Sequence, residues 1–267
     1  MQRPRMVASD VDGTLLGVDE RVSGRTASAT GRVRESGIPF VLVSGRPPRW
    51  MPGVAEQAGV DGLAVCANGA VLYDVGEDRV IWQRGLTTVQ LADVASALDT
   101  VLPGAGLAAE RIGKSAWDID PFVAETAYTD PWGNGQTVVT RAEVLGHPAV
   151  KLLVRKADMR SGEMAEAALA VLRDEFSVTY STNSGLIEIA ARGVTKASGL
   201  SDVAERFGVA APDVIAFGDM PNDVPMLRWV GHGVAMANAH PDALEAADEV
   251  TASNTDDGVA LALERWF

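Results

Sequence analysis

Met6-Val7-Ala8-Ser9-Asp10-Val11-Asp12-Gly13-Thr14 is the stretch on which the fold turns. Met6 to Ser9 reads as a short apolar strand that runs straight into an acidic, glycine-containing turn. Where extended backbone persists, alternate side chains share a face, so Asp10 and Asp12 would point into one cleft. That cleft lies at the carboxyl end of a parallel strand, where open α/β sheets bind ligands. Gly13 would let the chain bend sharply there. A surface turn with two solvated aspartates is a competing reading. A calcium loop is another, but it needs glycine at its sixth position between helices, whereas Gly13 is fourth and follows a strand.

Working outward, the first third alternates strand and helix. Arg21 to Ser36 predicts a helix closed by Gly37. Ile38 to Val43 is a continuous apolar run, the pattern of a strand buried on both faces. Pro47 or Pro48 suits the start of the next helix. Leu63 to Ala67 predicts a third buried strand, and Ala70 to Tyr73 with Arg79 to Gln83 a hairpin around Gly76. The last third repeats the rhythm: helix Lys196 to Phe207, strand Val214 to Phe217, helix Asn222 to Trp229, strand Gly233 to Met236, helix Ala243 to Ala247, a strand position at Val250 and a closing helix Asp256 to Trp266. Such alternation implies a mostly parallel, doubly wound α/β sheet with helices on both faces.

The middle breaks the pattern. It offers a helix (Val89 to Leu102), a strand (Lys151 to Val154), a helix (Ser161 to Phe176) and a hairpin, Val178 to Thr182 with Leu186 to Ala190, turned by Ser184-Gly185. Trp117 to Pro148, with Pro121, Pro131, Pro148 and Pro131-Trp132-Gly133-Asn134-Gly135, shows no clear period. We therefore expect an outer domain of residues 1–84 and 192–267, and an inserted α+β domain of residues 85–191. Trp117, Asp118, Asp120, Tyr128 and Trp132 fall in the insert, as pocket lining or as packing.

Composition narrows the partners. A formal net charge of −13 argues against nucleic acid, which demands clustered Lys and Arg, and against anionic membrane surfaces. A local cation in a cleft can still recruit an anionic substrate. The single cysteine, Cys66, permits no intramolecular disulfide, and Met1 to Met6 presents no apolar signal-peptide core, so the expectation is a cytoplasmic chain. No apolar run approaches the ~20 residues of a membrane helix. Nothing in the sequence sets the oligomeric state.

Three further clusters carry chemistry. Gly218-Asp219-Met220-Pro221-Asn222-Asp223 follows the apolar run Val214 to Phe217, and sets two carboxylates and an amide at a second strand end. Carboxylates crowded there repel; two unit charges ~4 Å apart cost ~4 kcal/mol at an effective dielectric of 20, so a shared cation is expected. Oxygen ligands without a His or Cys cluster suit Mg²⁺. Helix capping by Asn222 or Asp219 is compatible with that role. Ser44-Gly45-Arg46 follows the second strand and combines a hydroxyl, free backbone N–H groups and a helix start, a phosphate cradle. Lys196 stands at a helix N-terminus, where a cation opposes the dipole unless an anion meets it; a solvated surface lysine is the alternative. His147, His232 and His240 show no metal-ligand spacing.

In this order the four clusters resemble the haloacid dehalogenase (HAD) superfamily of phosphohydrolases. Asp10-Val11-Asp12-Gly13-Thr14 is similar to its first motif, Ser44 to its second, Lys196 to its third and Gly218-Asp219-x-x-Asn222-Asp223 to its fourth. The insertion between the second and third resembles the α/β cap of the Cof-type branch, as do Asn68-Gly69-Ala70, Gly233-Val234-Ala235-Met236 with Asn238-Ala239, and Asp257-Gly258-Val259-Ala260. Ala197 and Ala237 stand where that branch usually has glycine.

The resemblance implies a Rossmann-like core and a Mg²⁺-dependent phosphatase for small phosphorylated metabolites, sugar phosphates among them. Asp10 would attack phosphorus and form an aspartyl-phosphate, and Asp12 would act as general acid and then base. Asp10, Asp12 through its carbonyl, and Asp219 would hold Mg²⁺, with Asn222 and Asp223 in support. Thr14, Ser44, Gly45, Arg46 and Lys196 would hold the phosphoryl group, and Asn68, Gly69 and Asn238 are candidate substrate contacts. The cap would select the substrate. Alternatives are a phosphoglycoside or phosphoglycerate phosphatase, a phosphosugar phosphotransferase, and a non-catalytic regulator, of which the last would be expected to lack Asp10.

Overall fold

The computed structural model describes residues 2–118, 122–129 and 137–267. Asp120, Pro121 and the Pro131 to Gly135 segment lie outside the described residues. The chain forms two compact units, Met1–Trp82 with Thr195–Phe267, and Gln83–Val194.

The first unit opens with β1 (Met6–Ser9), α1 (Gly24–Glu35), β2 (Phe40–Val43), α2 (Met51–Ala58), β3 (Leu63–Cys66), β4 (Val71–Asp74) and β5 (Arg79–Gln83). The second unit holds α3 (Thr88–Val101), β6 (Gly106–Glu110), β7 (Val123–Glu125), β8 (Thr137–Val139), α4 (Arg141–Leu145), β9 (Lys151–Arg155), α5 (Ser161–Leu172), β10 (Phe176–Thr179) and β11 (Leu186–Ala191). The first unit then resumes with α6 (Lys196–Phe207), β12 (Val214–Gly218), α7 (Val224–Trp229), β13 (His232–Ala235), α8 (Pro241–Ala246), β14 (Glu249–Val250) and α9 (Gly258–Leu263).

The sheet of the first unit runs β14-β13-β12-β1-β2-β3-β4-β5. From β14 to β3 all neighbours are parallel, and β4 turns antiparallel to β3. The short apolar runs now have their reason: β1, β2 and β12 are buried along their whole length because the sheet is covered on both faces. Leu200, Val203 and Ala204 of α6 join Met6, Val41 and Val65 in one core cluster. This is the Rossmann-like α/β architecture expected from the strand–helix rhythm.

The second unit has a six-stranded sheet, β10-β11-β9-β6-β7-β8. Leu91, Val94 and Leu98 of α3 and Met164 and Ala168 of α5 pack on Leu107, Leu152, Ile187 and Ile189. The other face carries a smaller cluster of Ala108, Ala124, Tyr128, Leu153 and Leu186, with Phe122 edge-on to Tyr128 at 5.8 Å between ring centroids. Tyr128 is packing, whereas Trp117 is 70% exposed.

Two expectations change. The helix expected through Phe176 stops at Leu172, because Arg173 adopts φ +52° and sends the chain into β10, paired with β11. Strands β6, β7 and β8 come in addition to the expected elements: β6 is Gly-Leu-Ala-Ala-Glu, which lacks β-branched residues, and the other two have three residues each. Strand β1 spans Met6–Ser9 as expected and ends before the acidic turn. Among the described residues no helix is long and apolar enough to cross a membrane.

Candidate active site

Four adjacent parallel strands deliver loops from their carboxyl ends. Asp219 follows β12, Asp10 follows β1, Ser44 follows β2, and a tight turn at Ala67–Gly69 follows β3. The chain leaves β1 toward β2 and β3 on one side, and reaches β12 and β13 on the other. Asp10 and Asp219 therefore stand at the topological switch point, where such sheets open a crevice.

Asp10 is extended (φ −61°, ψ 164°), and its N–H still bonds Phe217 O at 2.9 Å, so β12 holds it in line. The chain then coils into a wide helical turn, Val11–Leu15, broken by Asp12 (φ −79°, ψ 127°) and Gly13 (φ 73°). Alternation along a strand thus does not place Asp12. Asp10 is buried, while the Asp12 side chain is 55% exposed. Gly13 is required twice over: its φ is left-handed, and a Cβ there would fall 2.3 Å from Asp219 Oδ2. The Gly13 carbonyl accepts from Asn238 Nδ2 at 2.9 Å, and Asn238 Oδ1 accepts from Asn254 N at 3.0 Å. Asn254 Nδ2 donates in turn to Leu16 O at 2.8 Å. Asn238, expected as a substrate contact, is engaged here in stitching the turn that follows Asp10. Asn254 shares that duty, and no spacing in the sequence pointed to it.

Lys196 begins α6 with its side chain wholly buried. Its Nζ donates to Asp10 Oδ1 and to Asp223 Oδ1, each at 2.6 Å. The solvated-lysine reading falls, because the helix N-terminus is docked on the sheet. Thr195 caps α6, accepting from Ser198 N. Gly69 (φ +97°) lies so close that a Cβ would sit 1.9 Å from Thr195 O, and a Cβ on Gly199 would meet Val65 at 2.5 Å. Gly69, another expected substrate contact, thus lets the turn after β3 touch the helix that carries the lysine.

Asp223 is fully engaged: Oδ1 by Lys196, Oδ2 by the backbone N–H groups of Asp219 and Met220, both at 2.9 Å. Thr14 Oγ1 donates to Asp219 Oδ1 at 2.7 Å, so the hydroxyl expected on the phosphoryl group instead orients a carboxylate. Asn222 Nδ2 bonds Asn68 Oδ1 at 3.1 Å, while the buried Asn222 Oδ1 has no partner among the described residues. Gly45 packs beside Asn68, where a Cβ would approach Asn68 Oδ1 to 3.1 Å. Ser44 is buried, and its Oγ accepts from Arg46 N at 3.0 Å. Arg46 Nε and Nη2 donate to Asp12 Oδ2 and Oδ1 at 2.8 and 2.5 Å.

Charge explains the strain in this cluster. Burial first, then the neighbouring Asp223 carboxylate, push the Asp10 carboxyl well above its ordinary range, against the pull of Lys196. Burial and Asp223 likewise raise Asp219, to about 6. Burial works against the Lys196 charge, but Asp10 and Asp223 outweigh it and hold the ammonium protonated above its usual range. One buried ammonium among three carboxylates leaves the pocket short of positive charge.

The donor set fits a hard divalent cation. Asp10, Asp219 and Asp223 each offer an oxygen, and these atoms lie within 4.8 Å of one another. The orphaned Asn222 Oδ1 is a further acceptor in the same loop, suited to a water proton. The histidines stand elsewhere: His232 bonds Glu249, and His240 caps α8. Cys66 is buried in β3.

Comparison with known proteins agrees in extent and architecture. A model of haloacid dehalogenase-like hydrolases matches residues 7–263. The 5-amino-6-(5-phospho-D-ribitylamino)uracil phosphatase YcsE of Bacillus subtilis is 28% identical, over 98% of this chain and 95% of that protein. The phosphoglycolate phosphatase of Methanothermobacter thermautotrophicus is 28% identical, over 98% of this chain and 99% of that protein. The HAD subclass IIB sugar phosphatase BT4131 superposes with a TM-score of 0.82, covering 98% of both chains at 20% identity, a likeness of fold. With the match running from β1 to α9, this chain is an enzyme of the haloacid dehalogenase-like hydrolase family.

Proposed function

We propose that this enzyme is a Mg²⁺-dependent phosphatase that hydrolyses small phosphorylated metabolites, sugar or polyol phosphates foremost, through a phosphorylated Asp10. The observation that carries the reading is the Asp10–Lys196–Asp223 ion triad at the switch point, beside Asp219. Asp10, Asp219 and the Asp12 carbonyl would hold Mg²⁺, which supplies charge to offset both the carboxylates and the phosphoryl oxygens.

The chain's own groups account for the rest. Lys196 neutralises Asp10, so an anionic nucleophile can approach a phosphate dianion. An Asp10 oxygen bonds to phosphorus as the bond from phosphorus to the leaving oxygen breaks, and Asp12 gives that oxygen its proton. Asp12 then takes a proton from water as that water attacks the aspartyl-phosphate and frees Asp10. Ser44 Oγ and the N–H groups that follow it are suited to the phosphoryl oxygens. Arg46 serves Asp12 in the resting arrangement. These loops recognise a phosphoryl group and little beyond it, so the choice of leaving group falls to the inserted unit. The relatives named for phosphoribityl and phosphoglycolate substrates support a small, polar leaving group.

The test is turnover of a panel of phosphorylated metabolites with Mg²⁺ and with EDTA, for the wild type and Asp10→Asn. We expect Mg²⁺-dependent phosphate release, lost by more than ~10³-fold in Asp10→Asn. Release that persists in EDTA would refute the metal, and near-normal Asp10→Asn would refute the nucleophile.

A further inference from the structure

The inserted unit contains a cavity of about 570 Å³ that none of the chemistry above uses. All its lining residues belong to that unit, and none is shared with the Asp10 cluster. Its walls are set by backbone pairing: Leu86 and Ala149 exchange N–H···O bonds of 2.7 and 3.2 Å, which hold the start of α3 against the strand-like segment before β9. Among the described residues, no carboxylate stands on this lining, in a chain with 36 Asp and Glu residues.

What lines it instead is positive. Arg111 follows β6, and its Nη2 is anchored by the carbonyls of Glu143 and Val144 at 2.8 and 3.3 Å. That anchoring fixes the guanidinium without neutralising it, for Arg111 has no carboxylate partner among the described residues. Its Nε is buried and bonded to nothing described. A half-buried arginine held by neutral carbonyls keeps its full charge and is short of an acceptor. Across the same cavity lies His147, exposed and likewise unpartnered among the described residues. The third contribution is Thr87, the N-cap of the 14-residue helix α3, so the positive end of that helix opens on the same space. Guanidinium, imidazole and helix start come from three separate chain segments.

We propose that this cavity is an oxyanion-binding site of the inserted unit, taking a phosphate group, free or borne by a small metabolite. Arg111 supplies the charge-assisted hydrogen bond, His147 a second donor and α3 the positive end of its dipole. Leu86 and Ala149 give the remainder of an organic ligand an apolar wall. The site adds to the proposed phosphatase reading and does not depend on it, since its residues are outside the Asp10 cluster.

The test uses the full chain in EDTA, where the uncompensated carboxylates around Asp10 repel anions. Phosphate is titrated at constant ionic strength against chloride, and the imidazole Cε1–H signals are followed by NMR. With only three histidines, the His147 signal is identified by its loss in His147→Gln. We expect a saturable shift of the His147 signal alone, weakened about tenfold in Arg111→Met, the worth of one charge-assisted hydrogen bond. Because Arg111 also holds two carbonyls, a second variant, His147→Asp, adds a negative charge at an exposed position; thermal-shift titration with phosphate should show the same loss. A methylphosphonate arm separates the sources: tighter binding than phosphate assigns an organic ligand, weaker binding free phosphate. No saturable shift, or unchanged affinity in His147→Asp, overturns the proposal.

Discussion

The Arg46 guanidinium grips both oxygens of the Asp12 carboxylate, at 2.8 and 2.5 Å, although Asp12 itself stands half exposed. Arg46 is the better buried of the two, with 18% of its side chain exposed, so it is the anchor and Asp12 the anchored group. In Arg46→Ala, Asp12 loses its orientation, and kcat/KM should fall most for alkyl phosphates, whose leaving oxygen needs a proton. A fall of about 10²-fold for alkyl esters, with a smaller one for 4-nitrophenyl phosphate, is expected. Equal losses for both would instead make Arg46 a direct contact of the phosphoryl group.

Lys196→Met removes the cation that pairs with the buried carboxylates of Asp10 and Asp223. Breaking a buried pair typically costs about 3–5 kcal/mol, so urea unfolding of the metal-free variant should show a loss of that order. Lys196→Met with Asp223→Asn deletes one of the stranded charges and should regain part of the stability while activity stays lost. A single variant as stable as wild type would mean that the triad does not balance itself as the geometry implies.

Asp219 gives a pH signature. Its folded value, raised to about 6 by burial and by Asp223, exceeds the ordinary 3.8. Between those values the folded chain holds the proton more tightly than the unfolded one, so metal-free stability is highest below pH ~4 on this account and falls as pH rises through 6. A divalent cation reverses the penalty and must displace protons below pH 6. The rise in Tm on adding Mg²⁺ should therefore be larger at pH 7.5 than at pH 5, and a pH-independent rise would exclude Asp219 as a ligand.

Gly69→Ala tests how Lys196 is placed. The new Cβ would meet Thr195 O at 1.9 Å, on a residue with φ +97°, so α6 must retreat from β3. A stability loss of roughly 1–3 kcal/mol is expected, together with reduced kcat. Wild-type kcat at that cost in stability would show that the helix start tolerates the shift.

Much of the fold was legible because its signals are local. The runs at Val41, Ala64 and Ile215 announce doubly covered strands, and glycines at 37 and 208 end helices with left-handed φ. The acidic turns at Asp10 and Asp219 were legible for the same reason: each directly follows an apolar strand. Strand β6, built of small residues, was not, because only its pairing with β9 and β7 makes it a strand.

What the chain composition and spacing determined alone was the kit: two acidic strand ends, a Ser44 turn and a lysine at a helix start. The tertiary structure decided how each part is used. Thr14, Gly69 and Asn238 serve neighbouring protein groups, since a hydroxyl, a missing Cβ and an amide acquire partners only when distant segments meet. The same holds for Lys196, whose charge is tolerable in the interior only because Asp10 and Asp223, 186 and 27 positions away, arrive on either side of it.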